Sequence, residues 1–452
     1  MKTNKDQYKK IIIFTELIIL FAIFTVMFGI VWYDSFVGEL VLRFFRRGHW
    51  AVIGVYALML LLFGKLFGCF RVSIARRTDM FFSFIFNILV TNVIMYFIIV
   101  ALTLEYAHLS IFVLLFVAEC VITVLWIIAV YAVNSYIYPP HNMLLIHADY
   151  SPKEVILEMN KRRDRYSIQE AVNINLGLDK IKEYIDKCEA VVISDVPAEQ
   201  RNDVLKYCYE LDKRIYMLPK ITDIIIRSAD EIHIFDTPVL LARNYGLSFE
   251  QKMMKRAMDI IVSGIAIIIA AIPMVIIAGL IKADDGGPVF FKQDRLTRGG
   301  KIFRIIKFRS MRTDAEKNGA QLMKADDDRV TKVGKILRRT HMDELPQLFN
   351  VFKGDMSIVG PRPERPEIMD DYIKNVPEFK YRLKVKGGLT GYAQVYGKYN
   401  TTPYNKLRLD LTYIQNYSVH LDIKVMVLTV KILFKKETSE GVADNQKTAL
   451  KD

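Results

Sequence analysis

Cysteine is scarce: the chain has four in 452 residues. Cys69, Cys120, Cys188 and Cys208 form no CxxC pair and two lie in apolar runs, so neither a zinc site nor a disulfide framework is suggested. Phosphate-cradling glycine loops are missing too. Neither GxGxxG nor GxxxxGK followed by Ser or Thr occurs, which removes the common dinucleotide and P-loop signatures. What is abundant is apolar and basic. Hydrophobic residues make up 52% of the chain, against ~45–50% in soluble domains, and 62 Lys+Arg face 49 Asp+Glu, a net charge of +13. This excludes a disordered or collagen-like chain and a small disulfide scaffold. At ~150 residues per domain the length suggests about three domains.

The apolar excess is concentrated near the N-terminus. Runs at residues 11–33, 50–70, 80–104 and 109–137 each reach the ~20 residues that cross a ~30 Å hydrocarbon core. The third contains no charge, which argues against helices of a soluble core. Lysines precede the first run, but no small-residue cleavage site follows it, so it reads as a retained helix. Lys2, Lys5, Lys9, Lys10, the Arg71/Arg76/Arg77 loop and Lys153/Lys161/Arg162/Arg163 then belong inside, and the Glu105–His108 loop outside. Arg43, Arg46 and Arg47 oppose this scheme and are outvoted. Glu16 and Glu119 lie within the runs and receive no functional role.

After Pro139-Pro140 the pattern alternates between strand and helix. Strands are expected over residues 142–148, 190–194, 215–218 and 231–235, and helices over 152–163, 178–187 and 197–212. This predicts a small parallel sheet, an α/β Rossmann-like middle domain. Its first turn, His147-Ala148-Asp149-Tyr150-Ser151-Pro152, has no glycine, which favours a regulatory or structural module without a dinucleotide.

A fifth apolar run, residues 260–281, contains Pro273. Lys252, Lys255 and Arg256 precede it and Lys282 follows, so both ends read as lying on the same side. With a proline that removes a backbone donor, this predicts a re-entrant membrane helix broken at Pro273. The expected domains are residues 1–138 (four transmembrane helices), 139–247 (middle domain) and 248–452 (an α+β catalytic domain). The fold class is thus a mixed membrane protein.

From residue 292 to 312 eight basic residues, among them Arg295, Lys307 and Arg309, face the single acid Asp294 and alternate with apolar residues. Such a folded basic segment suits a di- or triphosphate anion beside anionic lipid. Then comes Arg338-Arg339-Thr340-His341-Met342-Asp343-Glu344-Leu345-Pro346-Gln347. Asp343 reads as the N-cap of a helix that starts near Pro346 and stops at Gly354. On propensity alone this is a well-capped amphipathic helix. Functionally, the helix N-terminus favours an ionised carboxylate and attracts phosphate. Asp343 could attack phosphorus there, and Glu344 could share a Mg2+ with it or orient a partner. Beyond the helix, Gly360-Pro361-Arg362-Pro363 forms a rigid loop that presents an arginine.

These motifs, with Gly287-Pro288-Val289-Phe290-Phe291, Lys307-Phe308-Arg309-Ser310-Met311 and Thr390-Gly391-x-Ala393-Gln394-Val395, resemble the bacterial sugar transferases over roughly residues 252–435. These are monotopic-type polyprenyl-phosphate phosphoglycosyl transferases. The four N-terminal runs and the middle domain resemble the large members that prime exopolysaccharide or capsule synthesis. The resemblance implies that Asp343 attacks the β-phosphate of a UDP-sugar and releases UMP. Polyprenyl phosphate then takes the sugar phosphate. It further implies Glu344 as partner carboxylate, Mg2+ at the Asp343/Glu344 pair, Arg362 as phosphate ligand, and Arg295, Lys307, Arg309, Pro361, Pro363 and Gln394 in the substrate site. The implied setting is the bacterial inner membrane with the catalytic domain cytoplasmic; nucleic acid is not an expected partner, and a homodimer is left open. The sequence departs from the family's usual pattern at Ile272, Asp328, Gly387 and Tyr392.

Two rival functions remain at this level. Asp326-Asp327-Asp328 resembles the acidic triplet of metal-dependent glycosyl transferases, which release UDP. A non-enzymatic scaffold for polysaccharide assembly would need none of Asp343, Glu344 or Arg362.

Overall fold

A computed structural model describes residues 5–41, 46–70, 72, 77–106, 108–137, 139–148, 151–162, 165–242, 246–312, 329–397 and 401–433. The chain divides into two compact units, Met1–Pro219 and Lys220–Asp452.

The first unit opens with α1 (Lys5–Val31), α2 (Arg46–Phe67), α3 (Arg77–Thr103) and α4 (Leu109–Ile137). Each contains a stretch long and apolar enough to cross a membrane. Their facing sides pack large residues such as Phe24, Phe28, Trp32, Tyr56 and Phe84. Glu119 is fully buried among them. The Tyr56 hydroxyl donates to its Oε1, and Asn92 donates to its Oε2 at 2.7 Å. Glu16 Oε2 accepts from Asn134 at 3.4 Å. Both acids therefore bridge helices, and for the buried Glu119 carboxylate such donors are required.

The rest of this unit is β1 (His141–His147), α5 (Lys153–Asn160), β2 (Tyr166–Asn173), α6 (Leu178–Lys187), β3 (Ala190–Ser194), α7 (Ala198–Glu210) and β4 (Arg214–Met217). The strands form one parallel sheet in the order β2-β1-β3-β4. Central β1 and β3 read as continuous apolar runs because helices cover both faces. The expected parallel sheet is present, with two corrections. Tyr166–Asn173, unmarked by alternation, supplies its edge. Residues 231–235, expected as a further strand of it, form an antiparallel hairpin elsewhere.

That hairpin belongs to the second unit, which begins with α8 (Ile221–Arg227), β5 (Asp230–Ile234) and β6 (Thr237–Leu241). Next is α9 (Phe249–Asp285), opened by a Ser248/Gln251 capping box and ended by Gly286 at φ 70°. Pro273 lies inside α9, which continues as one helix across it. The remaining elements are β7 (Phe290–Leu296), β8 (Ile302–Phe308), α10 (Lys332–Arg339), α11 (Gln347–Lys353), β9 (Ser357–Val359), α12 (Pro366–Asn375), β10 (Gly388–Thr390), α13 (Tyr392–Tyr396), α14 (Pro403–Gln415) and α15 (Val419–Leu433). β7 and β8 form an antiparallel hairpin, and β9 pairs with β10 in parallel.

Buried polar groups tie α9 to this unit. Asp259 Oδ1 accepts from the Ser357 hydroxyl and the Ile358 amide, both at 2.9 Å. Lys255 reaches Asp422 of α15 at 2.7 Å. Asp422 and Val425 are fully buried, which seats α15 on the core of this unit. Further along α9, Ala270, Met274, Ile277 and Ile281 pack on Phe308 and Leu337 of the same unit.

Candidate active site

Strand alternation sorts the basic segment. Across the hairpin Phe291 faces Lys307, Gln293 faces Ile305 and Arg295 faces Phe303. Cross-strand partners share a face, and Phe303 and Ile305 are buried. Arg295 and Lys307 therefore turn inward with them. Lys292, Asp294 and Arg304 take the other face, where Arg304 and Asp294 make an exposed pair at 3.5 Å. A period of two selects which cations reach the site.

The acids arrive from the opposite side. Thr331 caps α10 through its hydroxyl, which accepts from Gly334 N at 3.0 Å. The helix ends at Thr340, and His341 turns the chain at φ 56°. Left-handed backbone at a non-glycine residue stores strain, and such residues concentrate at functional sites. A 3-10 turn, Met342–Glu344, then carries the acid pair into α11. This corrects the capping expectation: Pro346 occupies the N-cap of α11, and Asp343 makes no capping bond. The C-terminal stop is Gly354, at φ 101°. Asn350 locks α11 to β8, accepting from Ile306 N and donating to Arg304 O, both at 2.9 Å. That clamp sets the acids against Lys307.

Glu344 Oε1 takes two cations, Lys307 Nζ at 2.6 Å and Arg362 at 3.2 Å. Burial alone would raise the Glu344 carboxyl; Lys307 and Arg362 more than reverse that and hold it well below the usual carboxylate range. Asp343 behaves oppositely. Burial lifts its carboxyl above the ordinary value, and Lys307 offsets this only in part. Among the described residues nothing hydrogen-bonds the Asp343 carboxylate. Two adjacent acids thus differ in kind: one is neutralised by a pair of cations, the other is open.

Arg362 stands on a braced loop. Gly360 N donates to Thr390 O at 2.8 Å and Gly388 N to Pro361 O at 2.9 Å. A Cβ on Gly388 would lie 2.1 Å from Gly360 N, so only glycine allows this crossing. Beneath it Arg382 donates to Arg362 O at 3.0 Å and pairs with Glu364 at 3.3 Å and Asp410 at 2.8 Å. Arg295 donates to Pro363 O at 3.1 Å and to Gln293 at 2.7 Å. Its burial, with Arg362 as a like-charged neighbour, lowers its guanidinium to about 10. Arg295, Pro361 and Pro363 hold the loop, while Arg362 remains half-exposed.

Two expected site residues lie elsewhere. Arg309 is buried against Gly287 and donates to Pro288 O at 2.7 Å. Gln394 sits on α13 and donates to Leu389 O at 3.4 Å. Neither is brought to the acid pair. The contacts of Asn350, Arg382, Glu364 and Asp410 cannot be read along the chain, because the partners are distant in sequence. The acidic triplet 326–328 lies outside the described residues.

Among the described residues no group of three or more His, Cys, Asp or Glu forms a metal cluster. Mg2+ needs none, since it is held by one or two carboxylates and completes its shell with water and substrate phosphates. The open Asp343 carboxylate and the second oxygen of Glu344, which takes no hydrogen bond among the described residues, fit that role.

The electrostatics predict a pH profile. An Asp343 that must be ionised loses activity as pH falls through its raised pKa. Lys307→Met removes the largest opposing charge, so the acid limb of kcat/KM should move to higher pH. A limb that stays put or moves lower would show that another group controls it.

A family model described as bacterial sugar transferase matches residues 250–436. The chain is 43% identical over 182 residues to the UDP-N-acetylgalactosamine-undecaprenyl-phosphate N-acetylgalactosaminephosphotransferase of Aeromonas hydrophila, covering 40% of this chain and 43% of that protein. It is 36% identical over 273 residues to the UDP-glucose:undecaprenyl-phosphate glucose-1-phosphate transferase of Xanthomonas campestris pv. campestris, covering 57% and 56%. The match thus spans about half the length of these two relatives. Against the protein of the same description in Caulobacter vibrioides it is 38% identical over 191 residues, covering 41% of this chain and 71% of that one.

Proposed function

Because the chain belongs to the bacterial sugar transferase family, we propose that it moves a sugar-1-phosphate from a UDP-sugar to polyprenyl phosphate, the priming step of exopolysaccharide or capsule assembly. The observation that carries this reading is the asymmetric pair, an open carboxylate beside one that gathers two cations. The Asp343 carboxylate attacks the β-phosphorus; the bond to the bridging oxygen breaks and UMP leaves. An oxygen of polyprenyl phosphate then attacks the same phosphorus, forming polyprenyl-diphosphate-sugar and restoring Asp343. Glu344 holds Lys307 and Arg362 where phosphate charge is concentrated, and Arg362, half-exposed, meets the diphosphate. Mg2+, held by Asp343 and Glu344, would supply further charge neutralisation. The nucleotide product tests this. With UDP-sugar and polyprenyl phosphate we expect UMP; UDP would mean transfer of the sugar alone, and no nucleotide would mean a scaffold.

The same proposal keeps α9 on one side of the bilayer. Lys255 and Asp259 near its start and Ile277 and Ile281 near its end all pack on the second unit. Its most exposed apolar residues, Ile268, Ile269, Ile272 and Val275 at 72–77%, cluster around Pro273. A helix that dips into one leaflet at Pro273 and returns fits both facts, and α1–α4 then cross the inner membrane. Topology reporters after Phe249 and after Ile281 should both report cytoplasm. A periplasmic report from the second would sink the re-entrant arrangement.

A further inference from the structure

A second basic site lies apart from the acid pair. The first turns of α9, the loop between β7 and β8, and residues 384–386 enclose a cavity of about 170 Å³. Lys252, Lys255, Arg256, Arg298, Lys384 and Lys386 line it against one acid, Asp259. None of Lys307, Glu344 or Arg362 is among its lining residues.

Some of these charges have structural partners. Lys255 is consumed by Asp422. Arg256 donates to Val351 O and Phe352 O at 2.8 and 2.7 Å, and Lys386 to Gly354 O at 2.6 Å, closing the C-terminal end of α11. Asp259, the sole acid, already accepts two hydrogen bonds through one oxygen. Lys252 and Arg298 are different: among the described residues their side chains make no hydrogen bond or ion pair. Helix capping needs neither of them. Burial lowers the Lys386 ammonium, and crowding by Arg256 and Arg298 adds to this.

We propose that this cavity binds a phosphate-bearing anion, held by Lys252 and Arg298 together with the Arg256 and Lys386 charges that line it. The exposed apolar side of α9 includes Met253 and Met254, next to Lys252, and continues at Ile260 and Ile261. A phospholipid headgroup at the membrane surface would therefore meet the cavity at its own level, and a free phosphate presents the same chemistry. The site is independent of the catalytic reading.

The full chain in neutral detergent is titrated with phosphatidylglycerol, with phosphatidylcholine of the same acyl chains, and with inorganic phosphate, and the unfolding midpoint is followed. Phosphatidylglycerol or phosphate should raise the midpoint more than phosphatidylcholine does, in the wild type and in Asp343→Asn alike. The Lys252→Gln/Arg298→Gln double variant, whose changes fall on unpartnered side chains, should bind the same anion at least about tenfold more weakly. A response to phosphatidylglycerol alone assigns the headgroup, and an equal response to phosphate assigns a soluble anion. No anion-specific response, or one unchanged in the double variant, overturns the proposal.

Discussion

Asp343→Asn is expected to abolish two activities together: exchange of labelled UMP into UDP-sugar without lipid acceptor, and net transfer to polyprenyl phosphate. The amide keeps the shape of the side chain but cannot form the acyl phosphate, so the loss should be at least about a thousandfold in both. Exchange without acceptor is the sharper readout, because only a covalent intermediate permits it. Glu344→Gln should behave differently. It leaves the nucleophile and frees Lys307 and Arg362 from their shared carboxylate, so both rates should fall while UDP-sugar binding largely survives. Near-normal turnover in Asp343→Asn would replace the covalent route with direct in-line transfer between the two substrates.

Arg382→Ala is expected to be the most damaging single change to the second unit. Arg382 is 2% exposed and Asp410 1%, and Glu364 is nearly as enclosed. Removing the cation leaves Asp410 buried without its ion-pair partner and Glu364 with Lys406 alone, at 3.6 Å, which costs roughly 3–5 kcal/mol, since Asp410 cannot be hydrated where it lies. In a domain of this size that lowers the unfolding midpoint by about 10 °C, measurable with the full chain in detergent. The Arg362 carbonyl loses its brace at the same time, so activity should fall even below the new midpoint. Arg382→Lys, which keeps the charge, should recover part of the stability. A midpoint shift under about 2 °C for Arg382→Ala would mean that water already reaches the pair.

Much of the fold is local in origin and could be read along the chain. The apolar runs predicted α1 to α4, and the fifth run, 260–281, predicted the apolar middle of α9 but not its length. Short apolar segments taking turns with helical ones predicted β1, β3, β4 and the helices between them. Strand β2 is not legible because Gln169, Glu170 and Ala171 in its middle are exposed and its residues, Tyr166–Asn173, alternate weakly; only pairing with β1 makes it a strand. Residues 231–235, expected in the parallel sheet, pair instead in an antiparallel hairpin, because a short apolar strand carries no information about its neighbour. At the site, Asp343, Glu344 and Arg362 stood out by motif, while the contacts of Asn350 and Arg382 did not, since their partners are distant in sequence.

By itself the sequence determined which chemistry was available: paired acids, a glycine–proline loop presenting an arginine, a basic hairpin and helices apolar enough for a bilayer. These follow from residue type and short-range spacing, which propensity and periodicity read directly. Only the tertiary structure decided how those groups divide the work. It turned Lys307 and Arg295 inward and Lys292 and Arg304 outward, and it withdrew Arg309 to Gly287. It gave Glu344 both cations and left Asp343 open. The reason is physical: charge on a side chain is set by composition, but its protonation and its reach depend on burial and on partners that the fold brings from distant parts of the chain.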